Sequence, residues 1–137
     1  MKVVVDTNVL VSAMGWPGNA RDLLRMAANG TLTIIISEDI LAEYIEVISR
    51  DKFAYLEKRA VKRFLQVMSR YVRVAKTTST VKVIAEDSAD DKVLACAKTV
   101  RADLIATGDT HLLRLGRWSG IRIVTPREAV DIINGEN

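Results

Sequence analysis

Asp6, Glu43, Asp91 and Asp109 are the residues whose type and setting could do chemistry in this chain. Asp6 closes Val3–Val5, a β-branched apolar run with the composition of a strand buried on both faces. An acid at the exit of such a strand is costly to bury unpaired. Asp109 lies just beyond a second apolar run that ends at Thr107, Glu43 sits one helical turn after Asp39, and Asp91 belongs to the acidic stretch Glu86–Asp91. Each acid also has a plain structural reading. Asp6, Asn8, Asp91 and Asp109 suit helix caps, and Glu43 suits a solvated helix position. Gathered in one place, the four would mean more. Two carboxylates about 4 Å apart repel by ~4 kcal/mol at an effective dielectric near 20, so such a set either keeps protons or holds cations. An all-oxygen set without histidine or thiolate suits Mg²⁺ or Mn²⁺. Phosphodiester hydrolysis is the reaction it would serve best, because the metal neutralises the phosphate and activates the attacking water.

Composition narrows the field. The chain has 137 residues, enough for one domain (1–137) with one ordinary core. Its formal charge of +3 permits a nucleic-acid partner without demanding one. Cys96 is the one cysteine, so no intramolecular disulfide forms, and its neighbours in VLACA point to a buried small residue. His111 is the one histidine, which excludes a multi-histidine zinc site. No run approaches the ~20 apolar residues of a membrane span, and Asp6 and Asn8 break any signal-like core at the N-terminus. A soluble cytoplasmic protein is expected.

Strands alternating with helices must position the acids. Gly15, Pro17 and Gly18 mark a loop, after which Asn19 is expected to cap a helix over 20–28. Leu32–Ile36 reads as a second strand, followed by a helix to about Arg50 with Ser37 as its cap. After a break at Asp51–Tyr55, Leu56–Tyr71 reads as a helix with Lys58, Arg59, Lys62 and Arg63 on its outer side. Val72–Val74 reads as a short strand, Thr77–Thr80 as a linker, and Val81–Ala85 as strand or irregular. Ser88 begins a capping-box pattern with Asp91 ahead of a helix over 89–100. Then come a strand at Leu104–Thr107, a short helix at Leu112–Leu115 capped by Asp109, a turn containing Trp118 between Gly116 and Gly120, and a strand at Ile121–Val124. The last helix starts at the capping box Thr125-Pro126-Arg127-Glu128 and ends near Ile133. This alternation predicts an α/β fold, a three-layer α/β/α sandwich with a central, mostly parallel, Rossmann-like sheet. All four acids then fall at the carboxyl-end rim of that sheet, where such folds bind ligands.

Four segments in this order, VVVDTNVLVSA, SEDILAEYIEVI, DDKVLACA and LIATGDTHLL, resemble the PIN-domain ribonucleases that serve as toxins of bacterial and archaeal toxin–antitoxin pairs. The resemblance extends through the IRIVTPREAV tail. It implies a PIN-like fold and metal-dependent endonucleolytic cleavage of RNA leaving a 5′-phosphate. It further implies a homodimer, and inhibition by a small antitoxin that blocks the crevice. On this resemblance Asp6, Glu43, Asp91 and Asp109 would bind one or two divalent metals, while Asn8, Thr107 and Thr7 would orient carboxylates or water. Asp90 is a rival to Asp91, and Asp87 a weaker one.

Other readings stay open at this point. The basic stripe Lys58, Arg59, Lys62 and Arg63 is first a solvated helix face and second a cradle for RNA phosphates. Trp16 and Trp118 could stack on a base, although loop anchoring or a dimer contact suits them better. Asp6-Thr7-Asn8-Val9 approaches the D-x-D signature of haloacid-dehalogenase-type phosphatases, but Asn8 replaces the second aspartate and removes its acid/base. A catalytically inactive PIN-fold module that binds RNA or protein is the remaining alternative.

Overall fold

In a computed structural model, residues 1–50, 54, 57–77 and 88–135 are described, with the side chains of 88–90 excepted. β1 (Lys2–Val5) is the central strand, and Val3, Val4 and Val5 are at most 1% exposed. It pairs in parallel with β2 (Thr33–Ser37) on one side and with β4 (Leu104–Ala106) on the other, so that Val4 lies level with both Ile35 and Ile105. β3 (Val72–Ala75) extends the sheet in parallel beyond β2, and β6 (Ile121–Val124) extends it in parallel beyond β4. The two-residue β5 (Arg117–Trp118) pairs antiparallel with β6, giving the order β3-β2-β1-β4-β6-β5. The mostly parallel sheet expected from the alternation is therefore present.

Seven helices flank it among the described residues: α1 (Thr7–Gly15), α2 (Asn19–Ala28), α3 (Glu38–Ile48), α4 (Lys58–Tyr71), α5 (Ser88–Val100), α6 (Thr110–Leu115) and α7 (Pro126–Ile133). The chain steps from β1 to β2 to β3 in one direction, then crosses back to β4 on the far side of β1. Right-handed crossovers put α2 and α5 on opposite faces as a consequence. α2 packs on β2, α4 and α7, while α5 packs across β2, β1 and β4. The reversal of strand order between β1 and β4 is a topological switch point, and it opens a crevice beyond the carboxyl ends of those two strands.

Several local expectations need correction. Asn19 is the first residue of α2 and not its cap; Gly18 takes the cap position, with no side chain to offer. α5 starts at Ser88 itself, so Ser88 lies inside the helix. Trp118 lies in a strand, and the turn is Ser119-Gly120, both with positive φ (52° and 81°), as a two-residue hairpin of right-handed twist requires. Gly116 and Gly120 had masked that strand. Val81–Ala85, Asp87 and most of the break at 51–55 lie outside the described residues.

Ile105 is fully buried at the sheet centre, between β1 and β6. Ile105→Ala is expected to lower stability by about 2–5 kcal/mol, read as a reduced urea midpoint with an unchanged m value.

Candidate active site

Asp6 leaves β1 with extended backbone and caps α1, its Oδ1 accepting the Val9 N–H at 2.9 Å. The residue is only 7% exposed, because the strand before it and the helix after it both belong to the core. From the neighbouring strand, the Thr107 hydroxyl donates to Asp6 Oδ2. Thr107 is fully buried, and its own N–H bonds the Val124 carbonyl, so β6 fixes it in turn. The same Thr107 oxygen accepts the Asp109 N–H at 2.9 Å. Asp109 caps α6, its Oδ1 accepting from the His111 and Leu112 N–H groups at 2.8 and 3.3 Å. One hydroxyl thus ties the acid after β1 to the acid after β4.

Glu43 reaches this centre from α3. That helix is capped by Ser37, whose hydroxyl accepts the Ile40 N–H, and is pinned by Tyr44, which is fully buried and donates its O–H to Met14 Sδ of α1 at 3.1 Å. Glu43 Oε2 lies 3.6 Å from Lys92 Nζ. The contact also sets the direction of α5. Its first turn, with Asp91 half-buried beside Lys92, is at the carboxyl rim, and its last residue, Val100, accepts from Lys2 Nζ at the opposite edge. Lys92 went unnoticed in the sequence, where its adjacency to Asp91 is the only signal.

Burial is the main cause that holds the Asp6 carboxyl above its usual range. The hydrogen bonds from Thr107 and Val9 pull it down, and the negative charges of Asp109 and Glu43 push it back up. Asp6 therefore senses the charges of both Asp109 and Glu43. The three acids do not form a compact cage: among the described residues, no three acidic, histidine or cysteine side chains stand close enough to bind one ion directly. The reason is local. α6 N–H groups hold Asp109 Oδ1, Lys92 holds Glu43 Oε2, and like charges gain nothing by closing up.

The remaining candidates fall in several places. Asn8 is exposed at the mouth of a cavity beside the acids, whereas Thr7 is buried and its hydroxyl has no hydrogen-bond partner among the described residues. The side chains of Asp87 and Asp90 lie outside what is described. Lys58, Arg59, Lys62 and Arg63 are exposed on α4, which packs on β3 and α2 and carries none of the acids. Cys96 is buried in the core, its thiol pushed up to about 12 by burial, and His111 is exposed, so no Cys–His pair exists. Trp16 is 54% exposed beyond α1, while Trp118 is half-buried against the core.

A buried carboxylate at the switch point of a parallel sheet, with further acids on the helices leaving the same rim, makes this an acid-centred α/β domain. The chain belongs to the PIN domain family, whose profile matches residues 2–111 and so takes in all four acids. Among solved structures it is similar to a chain in the crystal structure of VapBC2 from Rickettsia felis bound to a DNA fragment from their promoter. The TM-score is 0.64 at 18% identity, covering 90% of this chain and 97% of that one. That likeness is one of fold. No curated protein sequence matches this one. Among the described residues, no helix is long and apolar enough to cross a membrane.

Two substitutions test this electrostatic account. A carboxyl whose folded pKa is raised loses stability as pH climbs from its unfolded value, near 4, to its folded one, and gains none back above it. Asp6→Asn, which keeps a capping oxygen, is therefore expected to melt higher than the wild type at neutral pH in chelator. The advantage should shrink as pH falls and vanish below about pH 4. Thr107→Val keeps the shape but strips Asp6 of a donor and the Asp109 N–H of its acceptor. It is expected to cost ~1–3 kcal/mol by denaturant titration.

Proposed function

We propose that the chain is a divalent-metal-dependent endoribonuclease, acting as a single-domain toxin of a cytoplasmic toxin–antitoxin pair. The observation that carries the reading is the Thr107 bridge. It ties the Asp6 carboxylate to the backbone of Asp109 across the switch point, with Glu43 in electrostatic range of Asp6. Carboxyls raised by burial and by neighbouring charges cluster at functional sites. Membership of the PIN domain family and the fold likeness to a VapBC2 chain support the same reading.

The donor set fits a hard divalent cation. Every candidate ligand is a carboxylate oxygen, and a cation at the rim would offset the charge of the buried Asp6 and of its acidic neighbours. A hydrated Mg²⁺ or Mn²⁺ needs only one or two direct carboxylates and keeps its other waters, which agrees with acids spread around a rim. Asp6 and Asp109 would hold it, with Glu43 and Asp91 completing the set. Once bound, it supplies neutralisation of the phosphate and a more acidic water. The chain's own part is positional. Thr107 fixes Asp6 Oδ2 and the backbone of Asp109, α6 fixes Asp109 Oδ1, and Lys92 steadies Glu43 until substrate arrives. In the hydrolysis, the water oxygen bonds to phosphorus, the P–O3′ bond breaks, and the 3′ oxygen takes up a proton. The products are a 5′-phosphate and a 3′-hydroxyl.

As a toxin the chain would work as a homodimer, held inactive by a small antitoxin across the crevice. The basic face of α4, with Lys58, Arg59, Lys62 and Arg63 all exposed, would add non-specific attraction for RNA. An inactive binding module is the competing reading, favoured by the Lys92–Glu43 contact, which already neutralises one acid.

Cleavage of single-stranded RNA is expected with Mn²⁺ or Mg²⁺ and not with chelator. Asp6→Asn and Asp91→Asn should each lower the rate by at least about a hundredfold while remaining folded by circular dichroism. Mn²⁺ should also raise the wild-type melting temperature, since it binds the native state. Metal-independent melting together with no cleavage would favour the inactive module.

A further inference from the structure

A cavity of about 370 Å³ opens directly beside the acid centre. Its lining includes Gly108, which stands between Thr107 and Asp109, and Asn8, two residues after Asp6. Val9, Ala20 and Pro126 give it apolar walls. Ser12 and Arg127 stand exposed along it, and Arg127 is the one charged residue among those that line it. The space over Gly108 is open, since a Cβ built there would meet nothing within 4 Å. Size and make-up match a small-ligand site, which is typically ~300–1,000 Å³ with apolar walls and a few placed polar groups. Among the described residues that line it there is no acid, which sets it apart from the neighbouring crevice and suits an anionic ligand. The first turns of α2 and α7 border the same lining and carry acids of their own, Asp22 and Glu128, so Arg127 is the positive group that the cavity offers.

We propose that this cavity is a nucleotide subsite. It takes the nucleotide next to the scissile phosphodiester of a single-stranded RNA, with base and ribose against Val9, Ala20 and Pro126 and the phosphate on Arg127. The position beside a scissile bond rests on the nuclease reading above. Nucleotide binding itself does not, because it needs neither metal nor cleavage. A strand whose phosphate lies at Asp6 and Asp109 meets Gly108 first on leaving the acids, and Gly108 presents no side chain to block it.

The test uses the full chain in chelator, titrated with each of the four nucleoside 5′-monophosphates and followed by calorimetry or amide NMR. The wild type is expected to bind at least one of them. Ser12→Trp, which fills the cavity from an exposed helix position, should weaken that binding by about tenfold or more. Arg127→Gln should weaken it by about fivefold and reduce the salt dependence by roughly one phosphate's worth. Asp6→Asn should retain it. Binding that survives both Ser12→Trp and Arg127→Gln, or no binding of any of the four nucleotides, overturns the subsite. RNA cleavage that depends on Asp6, with KM unmoved by Ser12→Trp and Arg127→Gln, overturns the subsite and leaves the nuclease standing. Ser12-dependent nucleotide binding in a wild type that cleaves no RNA does the reverse.

Discussion

The Thr107 hydroxyl is the junction on which the acid centre depends. It donates to the carboxylate that ends β1 and accepts from the backbone of the acid that follows β4. A side chain with only one of those capacities could not do this: valine would fit the space and bridge nothing. Two parallel strands placed side by side by apolar packing are thereby made to share a polar centre at their common end. The sheet supplies the coincidence of position, and the hydroxyl converts it into fixed geometry.

The same centre is where the fold works against itself. Asp6 is buried for the sake of its neighbours in β1 and α1, and Asp109 and Glu43 add to the electrostatic burden on it. Three devices limit the damage. Helix α1 offers an N–H to one oxygen, Thr107 offers an O–H to the other, and Lys92 offsets the charge of Glu43. None of these fully offsets the burden, and the Asp6 carboxyl stays above its usual range, chiefly because it is buried. The cavity next door is the electrostatic counterpart, with a guanidinium and no acid among the described residues that line it.

Much of this was legible in the sequence because strands and helices announce themselves by burial pattern. Val3–Val5, Leu104–Thr107 and Ile121–Val124 read as strands since each is buried almost throughout, and Thr125-Pro126-Arg127-Glu128 read as a helix start because its hydrogen bonds are local. Asp6 and Asp109 were legible for a related reason: each follows a buried strand, and the switch-point rule places such residues at a crevice. What was hidden depends on contacts across the chain. Gly18 caps α2 where Asn19 has the better side chain for it, because backbone geometry at φ 154° decides the matter. Trp118 enters a strand through a hairpin whose turn, Ser119-Gly120, looks like ordinary loop. The pairing of Lys92 with Glu43, 49 positions earlier, has no local signature at all.

The bridge between Asp6 and Thr107 spans 101 positions of the chain. β4, the strand that carries Thr107 into place, slots between a strand at the very start of the chain and one near its end. A polypeptide folding as it emerges from the ribosome therefore carries the Asp6 carboxylate 101 positions ahead of the hydroxyl that orders it. The centre is complete only once the long-range pairing of β1 with β4 has been made.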